Sequence, residues 1–151
     1  MNEGELPPIV PKLERATHAV ALWIERAFAD LRLSQAEAHV LAYLAEHAPC
    51  SINDLHHSFG HKRSTLTSLL DRLEGRGWIR RMAHPSSRRL VQVELTDAGQ
   101  PVAARVSSVI RDLEQRLLSR VGQSEAEAFQ HVLDVLEEEL QRGSNAQRPK
   151  R

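Results

Sequence analysis

The sequence predicts a mainly α fold with a small β-hairpin (α+β), with long helices at both ends. Three observations carry this. Leu, Ala and Val dominate a chain that is 41% hydrophobic but only 4% aromatic, a composition suited to helices closing on helices. Apolar residues recur at helical spacing near both ends. Period-two alternation appears at Val91, Val93 and Leu95, set against Gln92 and Glu94, as in a half-buried strand. At 151 residues the chain can bury one proper core, so a single domain over 1–151 is expected.

The elements follow in order. Beyond Pro7, Pro8 and Pro11, the residues Leu13, Val20, Ile24, Ala27, Phe28 and Leu31 mark a long first helix over 9–31. Ser34 to Glu37 reads as a capping box, because a serine oxygen and a glutamate three residues on can each satisfy the other's backbone N–H. The helix it opens turns Val40, Leu41, Leu44 and Ala45 inward and stops before Pro49. Ser51 and Asp54 repeat the signature for a two-turn helix ending near Phe59 and Gly60. Leu66, Leu69, Leu70 and Leu73 stripe the next helix, from Arg63 to Arg76, and Gly77 fits its left-handed stop. Ile79–Ala83 and Leu90–Leu95 read as strands joined by a turn at 84–87. A further helix should start at Thr96-Asp97, with Gly99 and Pro101 disturbing its first turns. Ser124 and Glu127 read as a capping box for the last helix, and 143–151 as a disordered tail.

The charge is informative only when resolved along the chain. Lys+Arg and Asp+Glu number 20 each, so the whole is neutral. From His61 to Leu90, eight Lys/Arg face two acids, a local net charge of +6; the other 121 residues carry −6. One basic segment in a neutral protein is a local footprint for a polyanion. The helix in that segment buries its leucines. Its outer face offers Ser64, Thr65, Thr67 and Ser68, short hydroxyls that allow close approach to base edges, flanked by Lys62, Arg63 and Arg72. Asp71 fits a partner that orients a nearby arginine. Arg80 and Arg81 lie on the outgoing strand, with Ser87, Arg88 and Arg89 on the return. A hairpin tip can approach a minor groove of about 6 Å, where arginine is favoured.

These motifs are specific together. S-x-x-D-L at Ser51–Leu55, R-S-T-L-T at Arg63–Thr67, D-R-L-E-x-x-G at Asp71–Gly77, P-S-S-R-R at Pro85–Arg89 and L-T-D-A-G at Leu95–Gly99 resemble the winged helix-turn-helix of the MarR family of bacterial transcription regulators. Leu33–Leu41 resembles the family's second helix. The resemblance implies a DNA-binding lobe over 34–99, dimerisation helices over 9–31 and 101–142, and a homodimer on pseudo-palindromic double-stranded DNA. It implies, usually, a repressor released by a small molecule. It also adds Ser51 to the DNA-binding set. Two positions depart from the pattern: Ser87 stands where the family's wing commonly has an acid, and Lys62, a poor cap, precedes the recognition helix.

A small-molecule effector is the default switch, with His18, Trp23, His39 and Tyr43 as candidates because aromatic and imidazole groups suit an aromatic carboxylate; each fits ordinary packing equally well. Metal or redox sensing on the same fold is the alternative, as is a winged-helix protein-interaction module without DNA. Against metal, His56 and His57 are adjacent and diverge on a helix, and no C-x-x-C is present. Cys50, the single cysteine, reads as a structural thiol and excludes an intrachain disulfide. No cofactor is expected. No glycine-rich phosphate loop or nucleophile motif points to an enzyme. With neither a secretory signal nor an apolar run near the roughly 18 residues of a membrane span, the expectation is a cytoplasmic protein without membrane contact.

Overall fold

The computed structural model describes residues 8–146, without the side chains of 88, 89 and 144–146. Its elements run α1 (Ile9–Ala27), α2 (Gln35–His47), β1 (Cys50–Ser51), α3 (Ile52–Phe59), α4 (Arg63–Gly75), β2 (Ile79–His84), β3 (Ser87–Leu95), α5 (Gly99–Leu118) and α6 (Gln123–Ala146). The predominance of helix with one small antiparallel sheet is the predicted class. The chain forms two compact units, the first ending at Ser108 and the second beginning at Val109.

In the first unit, α2 and α3 start on the two capping boxes expected at Ser34/Glu37 and Ser51/Asp54. The stripe Leu66, Leu69, Leu70 and Leu73 is buried together with Phe28, Val40, Leu41, Leu44, Leu55, Ile79, Val93 and Val106. Gly77 has φ +73° and Gly60 φ +61°, so both helix stops use the left-handed region that glycine enters without a Cβ clash. The sheet order is β1-β3-β2, all antiparallel.

Several boundaries differ from expectation. The first helix ends at Ala27, and residues 28–32 form hydrogen-bonded turns, with Arg32 at φ 49°. Ala45, expected inside, is exposed: it sits one residue off the Val40-Leu41-Leu44 stripe and lines a shallow groove with Pro49 and Glu94. The short strand β1 pairs Cys50 with Val93 and Ser51 with Gln92 through backbone bonds that leave no periodic mark in two residues. β3 begins at Ser87 rather than Leu90, so the turn shrinks to Pro85 and Ser86. α5 begins at Gly99, not at Thr96-Asp97. Thr96 acts as the cap instead, its Oγ1 accepting the Gly99 N–H at 3.0 Å. Pro101 then falls in the first turn, where a missing N–H costs no helical bond, so it does not disturb the helix.

In the second unit, the end of α5 and α6 form a helical pair. The expected cap at Ser124 is displaced: the Gly122 N–H donates to Glu125 at 2.9 Å, and Ser124 lies within the helix. α6 runs on through Gly143 to Ala146, so the expected disordered tail does not begin at 143; residues 147–151 lie outside the described residues. Leu117, Leu118, Phe129, Val132, Val135 and Leu140 are exposed here.

Candidate nucleic-acid interface

α3, the turn at Gly60–Lys62 and α4 form a helix-turn-helix, and the β2–β3 hairpin packs against α4. With four leucines inward, α4 presents Arg63, Ser64, Thr65, Thr67 and Ser68 outward, all exposed. Thr67 and Ser68 donate their hydroxyl protons to the Arg63 and Ser64 carbonyls at 2.9 and 3.0 Å. Their oxygens are thereby fixed in direction and left with lone pairs to accept hydrogen bonds. Lys62 is the N-cap and supplies no side-chain cap bond, so the first N–H groups of α4 stay open. Among the described residues neither Lys62 nor Arg63 has an ion-pair partner. Ser51 is otherwise occupied: its Oγ donates to Asp54 at 2.7 Å and accepts the Asp54 N–H at 3.0 Å.

Arg72, Arg76, Arg80 and Arg81 are held by protein groups. Arg72 Nε donates to Glu37 Oε1 at 2.8 Å, and Glu37 is buried. Burial pushes the Glu37 carboxyl up, but the hydrogen bonds from the Ser34 N–H, Arg72 and the Ser34 hydroxyl together bring it below the usual range. Arg80 pairs with Glu94, its cross-strand partner. Arg81 pairs with both Asp71 and Glu74 at 2.7 Å, which gives Asp71 the orienting role read for it. Arg76 donates to the Leu31 and Arg32 carbonyls and lies 4.9 Å over the Trp78 ring. Arg88 and Arg89 lie in β3, and Ser87 opens that strand opposite His84.

Sequence reasoning missed Glu37, Glu74 and Glu94 as partners. Glu94 could have been found from the hairpin register and Glu74 from its place one helical turn after Asp71; Glu37, 35 residues from Arg72, left no signal.

The four ligand candidates fall in different places. His18 lines a groove of about 460 Å³ with Leu13, Glu14, Thr17, Ala21 and Gln35. Tyr43 stacks on His47 at 4.1 Å and meets Phe59 edge-on at 5.6 Å; Phe59 in turn stacks on His61. His39 is half-buried, and burial, then the charge of nearby His61, hold its imidazole below the ordinary value. Trp23 is half-buried on α1. His57 and His61 stand four apart in the sequence, but Gly60 ends α3 between them, so they share no helix face. Among the described residues no three His, Cys, Asp or Glu are grouped to hold a metal, and no helix is long and apolar enough to cross a membrane. Cys50 is buried, and burial, then Asp54, push its thiol up to about 11.

The MarR family model matches residues 33–91. The HTH-type transcriptional regulator PecS of Dickeya dadantii is 32% identical over 135 residues, covering 87% of this chain and 81% of PecS. The chain belongs to the MarR family. Two solved structures share the fold: Staphylococcus aureus MepR in complex with DNA (22% identical, 89% of this chain and 99% of that one, TM-score 0.76) and MepR in its DNA-binding conformation (22%, 88% and 99%, TM-score 0.77). As a MarR-family protein the chain is a DNA-binding helix-turn-helix transcription regulator rather than an enzyme.

Proposed function

We propose that this MarR-family protein is a cytoplasmic, homodimeric repressor of pseudo-palindromic DNA, released by a small ligand. The observation that carries it is the outer face of α4: hydroxyls fixed for base edges at Thr67 and Ser68, and Lys62 and Arg63 with no ion-pair partner among the described residues at its N-terminal end. In this reading Ser64, Thr65, Thr67 and Ser68 read the major groove, Lys62 and Arg63 meet phosphates, and Arg88 and Arg89 reach the minor groove. Arg72, Arg80, Arg81 and Ser51, spent on protein partners, frame that surface.

The dimer is supported by apolar surface on the terminal helices. The second unit holds a groove of about 810 Å³ lined by Leu117, Leu118, Val121, Phe129 and Leu133 among others. α1 separately exposes Ile9, Val10 and Leu22. Apolar surface of this kind needs cover, and a two-fold second copy is the commonest cover. The ligand reading favours the Tyr43–His47–Phe59–His61 stack with His39, because it joins α2 to the turn before α4. An aromatic acid seated there would bias the position of the recognition helix.

Selection of bound sequences from a random duplex pool tests the reading. The expected product is two inverted half-sites spaced by about one helical turn, roughly 10 base pairs. A promoter carrying that site should be silenced by the protein and relieved by an aromatic acid. No enrichment, an asymmetric site, or a monomer at micromolar concentration overturns it.

A further inference from the structure

Arg81 ties the basic hairpin to the recognition helix by its side chain and its backbone. Strand residues alternate faces, so of the adjacent pair Arg80 and Arg81 only one can turn toward α4. Arg81 stands opposite buried Val93 and shares the inner face with buried Ile79; Arg80 faces outward to Glu94. The Arg81 backbone N–H donates to Glu74 Oε1 at 3.0 Å. Its guanidinium donates to Glu74 Oε2 at 2.7 Å, to Asp71 Oδ1 at 2.7 Å and to the Thr67 carbonyl at 3.4 Å. A planar guanidinium can grip three acceptors along one helix in this way; an ammonium cannot. The local charge is also unusual for a surface that meets phosphates. One cation is matched by two carboxylates, leaving a net −1 one to two helical turns from Thr67 and Ser68. Bystander acids there would only repel DNA.

We infer that Arg81, with Asp71 and Glu74, is a positioning clamp that fixes the angle of the wing to the recognition helix and makes no contact with DNA itself. Base reading by α4 and groove insertion by the hairpin then act as one rigid unit. Thr67 is held at both its hydroxyl and, through Arg81, its carbonyl. The inference rests on the proposed DNA-binding role, and its test separates the two.

The full-length protein is compared with Asp71→Asn/Glu74→Gln, Arg81→Gln and Arg81→Lys, on the duplex obtained by selection and, without DNA, by amide hydrogen exchange. The clamp predicts that removing both acids weakens binding, roughly tenfold, although two repulsive charges have gone. It predicts that Arg81→Gln weakens binding with an unchanged slope of affinity against salt, and that Arg81→Lys fails to restore affinity despite keeping the charge. In the free protein, wing amides from Met82 to Val91 exchange faster in all three variants. Tighter binding by the acid-free variant, a slope reduced by about one in Arg81→Gln, or unaltered wing exchange overturns the clamp. If the unmodified chain binds no duplex, the DNA reading fails, and the exchange data still decide whether the clamp exists.

Discussion

Arg72→Ala separates structure from DNA contact at a residue whose sequence position fits either. Its Nε lies 2.8 Å from Glu37 Oε1, and the side chains are 53% and 3% exposed, respectively. A fully exposed pair would contribute about 0.2–1 kcal/mol, and a buried charge left alone would cost about 3–5 kcal/mol. Here the arginine is half in water, and Glu37 Oε2 keeps the Ser34 N–H and hydroxyl at 2.9 and 3.0 Å. The cost should therefore fall between those limits, about 1–2 kcal/mol. It should also depend on pH. The Glu37 carboxyl is held below its ordinary value, so its contribution is fully present above that value and is lost as pH falls through the folded one. Urea unfolding of the parent, Arg72→Ala, Glu37→Gln and the double variant at neutral and acid pH gives the coupling energy directly; glutamine keeps the capping box. A coupling near zero at neutral pH, or one that persists in acid, refutes the reasoning. So does a salt slope on DNA reduced by about one, which would place Arg72 on a phosphate.

Gly99→Ala should destabilise the protein by about 2–4 kcal/mol, because its Cβ would lie 1.8 Å from the Trp78 carbonyl oxygen, a backbone atom with no side-chain freedom to yield; a urea midpoint near that of the parent would contradict this. As pH falls below the ordinary imidazole value of 6.5, stability should decline, since the unfolded chain takes up a proton that the depressed His39 refuses. His39→Gln should flatten that decline, and an identical profile in the variant would rule it out. With its thiol pushed up to about 11, Cys50 should resist iodoacetamide at pH 7.5 until urea unfolds the chain, and DNA binding should survive peroxide. Fast native labelling in mass spectrometry would argue for a sensing role instead. Arg63→Ala should lower the salt slope by about one on operator and random DNA alike, as measured by mobility shift.

Legibility followed the range of the interaction that fixed each feature. The capping boxes at Ser34 and Ser51, the leucine stripe of α4 and the glycine stop at Gly77 are local, and each was readable from residues within a turn or two. β1 was not, because a two-residue strand is defined by Val93 and Gln92 some 40 positions away. Thr96 was read as a helix start when it is the cap before one. Its hydroxyl also donates to the Gly77 carbonyl, a link that only the folded hairpin creates. The outer face of α4 was readable as a surface. Which arginines of the basic segment are matched by acids was not, since Glu37 and Glu94 lie outside that segment.

Pairing with acids outside the segment changes its electrostatic balance. The window from His61 to Leu90 counts as +6, but Arg72 and Arg80 are matched by carboxylates at 37 and 94, and including those two acids brings it to +4. Arg81 is outnumbered by its own two partners. A basic run in sequence therefore mixes two populations that a charge count cannot tell apart. Some cations brace the scaffold and are screened by their partners before DNA arrives; others face solvent and would release counterions on binding. The first set should govern stability and wing geometry, with little effect on salt dependence. The second, starting with Lys62 and Arg63, should do the reverse. Because the two sets predict opposite patterns across the same pair of assays, each arginine of the segment can be assigned by measuring one unfolding curve and one salt titration.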